Sequence, residues 1–266
     1  MIGILISVAA VIITFLLKGV SPVILINLPS IFIVIVGSIG AVVASFGMEN
    51  FKRVPKLLGI ATKSYQSHAV ESRTMLVEFA GRARRDGLIS LESDVEQIEQ
   101  PFLKFALRMV VDQMEPETVE DMLALEIENM KNRHAVGHQI WGLWAGYAPT
   151  FGILGAVMGL IAVMAHLSEP EKLGAGIQVA FIATLLAVGL ANIVFMPMSV
   201  ALKQRTTLEV AEREMVVAGV MAILTGEHPN ITAQRLDTFL TPAQRAAVAA
   251  AKPSPSASAQ AAAEAA

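Results

Sequence analysis

Long uncharged apolar runs alternate with charged segments along this chain. Residues 1–17 carry no charge before Lys18, Leu28–Gly47 carries none, His134–Ser168 carries none while its histidines are neutral, and Leu173–Leu202 carries none. A helix needs roughly 20 apolar residues to cross a bilayer, so each run is long enough or nearly so to predict a span. The third run is too long for one crossing. Its early part holds Trp141, Trp144 and Tyr147, which read as an interfacial aromatic belt, so this helix is expected to continue below the membrane into water. The predicted fold class is an all-α membrane protein: four transmembrane helices with a large helical cytoplasmic loop between spans two and three.

That pattern divides the chain into a transmembrane hairpin over 1–47, a cytoplasmic helical domain over 48–139 and a second hairpin over 140–202. A cytoplasmic helical segment over 203–242 and a disordered Ala/Pro/Ser tail over 243–266 follow. In the loop, Leu103, Leu107, Val110 and Met114 recur at helical spacing and give one apolar stripe. Pro116–Arg133 opens on proline and acids and closes on basic residues, the order a helix macrodipole favours, and should run on into the third span. Arg82, Arg84 and Arg85 precede Gly87 as at a helix C-terminus, and Ser93 with Glu96 has capping-box spacing for a following helix.

Charge sets the orientation. Met48–Gln139 holds 12 Lys and Arg and the segment after Leu202 holds 6, whereas the turns at Lys18–Asn27 and Leu167–Lys172 hold one each. The positive-inside rule therefore places the loop and both termini in the cytoplasm of a multi-pass membrane protein. Only 16% of residues are charged against 54% hydrophobic, where a soluble domain carries about a quarter charged. A net charge of −3 does not argue for nucleic acid, and the absence of cysteine excludes disulfides, thiolate nucleophiles and Cys-based metal sites. The N-terminus has no basic n-region and no clean cleavage site, so the first run is expected to be a retained span.

The spans are poor in chemistry. The third and fourth spans offer Thr150, Gln178, Thr184 and Asn192, with Pro149 and Pro197 as helix breakers. Thr184 can bond back to its own helix or face a partner. Small residues repeat at four-residue spacing (Gly37, Ala41, Ser45; Gly152, Ala156; Gly155, Gly159; Ala183, Ala187, Ala191), a pattern that suits close packing within one subunit or against another. No Asp or Glu falls in any span, so the chain lacks its own carboxylate for carrying protons. His166 is expected at the outer interface. His134 and His138 have i, i+4 spacing without the acid of an H-E-x-x-H pattern, so no metal and no cofactor are expected. No nucleophile–base pair or phosphate loop appears, which argues against an enzyme.

Three stretches together resemble the MotA/PomA flagellar stator family, a branch of the MotA/TolQ/ExbB proton-channel superfamily. They are YAPTFGILGAVMGLIAVM (Tyr147–Met164), ARRDGLISLE (Ala83–Glu92) and VAFIATLLAVGLANIVFMP (Val179–Pro197). The likeness covers about residues 1–213, and the tail beyond Pro242 has no counterpart. It implies a homo-oligomeric ring, a pentamer, around a MotB-like single-span, peptidoglycan-anchored partner that supplies the ion-carrying aspartate. It further implies rotor contact with FliG through Arg84 and Glu92, and channel or coupling roles for Pro149, Ala156, Thr184 and Pro197. Ala156 stands where sodium-driven relatives tend to carry threonine, so the implied ion is H+. An ExbB/TolQ-type energiser has one span before its large loop where this chain has two; a non-conducting membrane scaffold is the other alternative.

Overall fold

The computed structural model describes residues 2–251, without the side chains of residues 170–172 and 251. Every regular element among them is helical. In chain order they are α1 (Ile2–Leu17), a 3-10 turn (Pro22–Leu25), α2 (Leu28–Ile31), a π turn (Phe32–Val36), α3 (Gly37–Phe51), α4 (Val54–Thr62) and α5 (Ala69–Asp86). A 3-10 turn (Leu88–Leu91), α6 (Glu92–Val95), α7 (Pro101–Val111), α8 (Pro116–Ala165) and α9 (Pro170–Gly189) follow. A second π turn (Leu190–Phe195), α10 (Met196–Leu224), α11 (Pro229–Asp237) and α12 (Pro242–Ala251) complete them.

By length and composition, the runs Leu28–Phe51, Pro116–Ala165 and Leu173–Leu224 can each cross a membrane. At 16 residues α1 is shorter, about 24 Å against a hydrocarbon core of about 30 Å. It buries none of its residues and turns Leu5, Ile6 and Leu17 outward, as a lipid-facing helix would. Pro116–Ala165 forms one uninterrupted helix of 50 residues, as the macrodipole order and the apolar run together predicted.

Met1–Ser64 and Asn132–Arg205 form one compact unit. Its core joins Val42, Ile140, Ala148, Met198 and Leu202 to an aromatic cluster of Phe51, Trp141, Trp144 and Phe195. Trp144 stacks on Phe195 with ring centroids 4.4 Å apart and on Trp141 at 5.6 Å. This corrects the interfacial-belt reading. Trp141 and Trp144 are 3% and 8% exposed, because intersegment stacking of large rings outweighs their wetting at an interface. Gly47 interrupts α3 with φ 77° and ψ 157°, a conformation that costs an L-residue dearly, and it breaks the helix just before Glu49, the first charge after Lys18.

Tyr65–Lys131 and Thr206–Ala266 form the other unit, described to Ala251. Leu76, Phe79, Leu103, Leu107, Val110, Leu123, Met215, Val220 and Leu236 make its core, and Met114 packs against it, so the predicted stripe faces inward. The buried Arg73 of α5 forms a two-pronged ion pair with Asp237 of α11, at 2.9 and 3.2 Å. Two expectations are corrected here. Ser93 makes no cap, for α6 starts one residue earlier at Glu92 with Leu91 before it, and Glu96 instead pairs with Lys104 and Arg108. The tail is not disordered from residue 243: Pro242–Ala251 is helical. Alanine has the strongest helix propensity, and the start is fixed by a capping box in which Thr241 and Gln244 bond each other's backbone N–H. The rest of that tail lies outside the described residues.

Candidate functional site

The sequence-predicted residues fall into two groups, one on a helix seam and one at a charged corner. The seam is built by α8 and α9. A Cβ at Gly152 would overlap the Ala187 methyl and approach the Ala183 carbonyl to 3.2 Å. At Gly155 it would lie 3.0 Å from the Ala183 methyl, and at Gly159 3.0 Å from that of Ala180. The glycine and alanine repeats therefore serve packing within this chain, bringing two backbones together where lipid offers no hydrophobic drive.

Thr184 sits on that seam, half-buried, with its hydroxyl 3.5 Å from the Gly152 carbonyl and 3.4 Å from that of Ala180. Both bonds are long, so the hydroxyl is weakly held. Across the seam, Pro149 lies inside α8 and lacks the N–H that the Ala145 carbonyl would accept. Half-buried Ala156 follows one turn after Gly152. Pro149 and Ala156 thus lie on α8 about one turn to either side of Gly152, the residue that Thr184 faces.

Pro197 does not join them. It follows the π turn Leu190–Phe195, whose widened backbone accommodates a proline ring that would press on the Ile193 carbonyl in a regular helix. Asn192 in this turn donates to the Val188 carbonyl at 2.9 Å. Pro197 and Asn192 line a separate crevice of about 340 Å³ with Gly3, Ile4 and Ser7. Beyond the proline itself, no local residue pattern marks the π turn.

The corner belongs to the other unit. α5 ends on Arg84, Arg85 and Asp86, and Gly87 (φ 84°) reverses the chain into the 3-10 turn and α6. Buried Leu91 and Val95 hold the turn from inside. Arg82 clasps it from the side, donating to the Asp94 carboxylate and, at 3.0 Å, to the Ser90 carbonyl. Arg84 and Glu92 are both exposed, and neither has an ion-pair partner among the described residues. The Arg82–Asp94 clasp was missed in the sequence, where three neighbouring arginines look interchangeable.

Two titrations are shifted outside the predicted transmembrane hairpins. A Lys104 hydrogen bond and the charges of Lys104 and Arg108 pull the exposed Glu96 carboxyl below its ordinary range. Burial, helped by the Lys203 charge, pulls His138 below the ordinary histidine value. His134 and His138 belong to no metal-binding cluster, and no group of three potential ligands occurs among the described residues.

The described residues thus present an acid-free helix seam closed by small residues and, in the other unit, an exposed charged corner. The chain belongs to the MotA/TolQ/ExbB proton channel family, whose model matches residues 94–215. It is 39% identical over 219 residues to motility protein A of Borreliella burgdorferi, covering 82% of this chain and 84% of that one. It is 38% identical over 241 residues to motility protein A of Bacillus subtilis, covering 90% and 89%. The flagellar MotAB stator complex of Bacillus subtilis superposes with a TM-score of 0.85 at 38% identity, covering 92% of this chain and 96% of the matched chain.

Proposed function

We propose that this chain is the membrane stator subunit of a bacterial flagellar motor, and that with a MotB-like partner it forms a proton channel whose flux drives torque on the rotor. The likeness to a MotAB stator complex over nearly its whole length supports this most strongly. In this reading the chain crosses the inner membrane four times, with the loop and both termini in the cytoplasm. Five copies surround the single-span, peptidoglycan-anchored partner.

The acid-free spans give the reading its physical sense. A proton crossing the low-dielectric core needs a titratable group at depth, and here only a partner helix can bring one. The partner's aspartate would take and release the proton beside the seam of Pro149, Ala156 and Thr184. Thr184, weakly bonded on both sides, is free to re-aim its hydroxyl, and the proline turns let α8 and α10 bend. Arg84 and Glu92, uncommitted on a rigid corner, present opposite charges to FliG. Ala156 favours protons over sodium.

The test is a deletion in the parent organism. Cells lacking the gene should assemble flagella but not swim, and regain swimming from a plasmid copy. Motility should collapse with a protonophore and ignore external sodium. Undiminished swimming in the deletion strain contradicts the stator role, and sodium-dependent swimming contradicts the ion.

A further inference from the structure

Between the break at Gly47 and the residue that follows α4, the chain carries four cations, Lys52, Arg53, Lys56 and Lys63. All are exposed, and none has an ion-pair partner among the described residues. They stand on a fixed platform. Val54 is buried, while Leu57, Ile60 and Ala61 pack against the core of Val42, Trp144 and Phe195. The Arg205 guanidinium closes the far end of α4, donating to the Ile60 carbonyl at 3.1 Å and that of Lys63 at 3.5 Å. With that side docked, α4 turns Lys56 and the 41%-exposed Leu58 outward. Holding four like charges on a rigid support costs mutual repulsion, and the only acid in the stretch, Glu49, pairs with none of them.

We infer that Lys52, Arg53, Lys56 and Lys63 form a binding surface for the phosphate headgroups of anionic lipids, with Leu58 reaching toward the acyl region. Two observations choose lipid as the occupant. The surface complements an anionic leaflet in charge, and it follows directly on Leu28–Phe51, an apolar run long enough to cross a membrane. Helix, cations and outward leucine make the composition of an interfacial amphipathic segment. The inference rests on the membrane-spanning reading. Its consequence is a stator subunit whose footing on the inner leaflet depends on lipid charge.

The experiment uses the full complex with its MotB-like partner in nanodiscs of phosphatidylcholine containing a minority of phosphatidylglycerol. Spin-labelled phosphatidylglycerol and phosphatidylcholine report which lipid is motionally restricted at the protein surface. Wild type should favour phosphatidylglycerol several-fold, since each juxtamembrane cation supplies up to about a five-fold factor at low salt. The triple variant Lys52→Gln, Arg53→Gln, Lys56→Gln should bring the ratio close to unity, whereas Arg85→Gln should leave it unchanged. Equal association of both lipids with wild type, or a preference that survives the triple variant, overturns the inference. Loss of the preference to inorganic phosphate, but not to sodium chloride of equal ionic strength, would assign the cations to free phosphate and overturn it as well. A complex that fails to enter nanodiscs at all would instead refute the membrane reading beneath it.

Discussion

The Trp144 indole donates its N–H to the Ser38 hydroxyl at 2.9 Å, inside a core where Ser38 is fully buried. Ser38 in turn shares its hydroxyl proton between the Val34 and Ile35 carbonyls, both within the π turn of the second apolar run. One hydroxyl therefore ties α3 to α8 and serves the widened turn as well. Ser38→Ala strands the buried indole N–H, which should cost about 1–3 kcal/mol. A lower melting temperature in detergent, with secondary structure unchanged at low temperature, is the expected result. An unchanged melting temperature would mean that the bond adds nothing.

The α8–α9 seam leaves no room at Gly152. Gly152→Val would drive a branched side chain into Ala187 and the Ala183 carbonyl, splaying the helices beside Thr184. Overpacking of this kind typically costs about 1–3 kcal/mol. The protein should still insert, but swimming should be lost, and Gly146→Val, at a position with open space around it, should be far milder in its effect. Immunoblots of membrane fractions alongside motility assays separate the two.

Much of this was legible in the sequence. Charge-free runs located the apolar helices, and Pro116–Arg133 announced a helix that does continue into the third run. The end of the second run at Gly47 coincides with a backbone break that only glycine takes easily. What stayed hidden depends on partners distant in the chain. Trp141 and Trp144 look the same in sequence whether they face lipid or Phe195, and nothing local to Arg82 says that it, unlike Arg84, is committed to Asp94. Ser93 had the right spacing for a cap, but burial of Leu91 and Val95 sets where α6 begins. Thr184 was readable as polar, yet its place opposite Gly152 follows from helix pairing that spacing does not encode.

Arg84 and Glu92 differ from Arg82 in having no ion-pair partner among the described residues, so reversing them should spare the fold. Arg84→Glu should depress swimming speed while melting temperature and membrane level stay at wild type. Arg82→Glu should instead lower the melting temperature, because it breaks the Asp94 clasp. A reversal on the rotor should restore part of the motility of Arg84→Glu. Full motility in an Arg84→Glu, Glu92→Lys double variant with an unchanged rotor would remove these residues from torque transfer.

His138 gives the protein an acid sensitivity. Its folded pKa lies below the ordinary value of 6.5, so as the pH falls the unfolded chain takes the proton first. The stability of the neutral form is complete above about pH 6.5 and is lost as the pH falls through that value toward the folded pKa. Detergent melts across this window should decline in wild type and flatten in His138→Gln. A wild-type curve no steeper than the variant's would contradict the assignment.

The central claim is that the chain shares a proton path with a partner that carries the acid. It is tested most directly by proton flux into vesicles holding this chain alone, this chain with its partner, or this chain with a partner whose membrane aspartate is changed to asparagine. Any segment that plugs the resting channel would be removed from the partner. Each proton crossing 100 mV releases about 2.3 kcal/mol, enough to bias one conformational step. The account predicts flux only in the second preparation, reduced by Pro149→Ala and by Thr184→Ala. Equal flux in all three would contradict it.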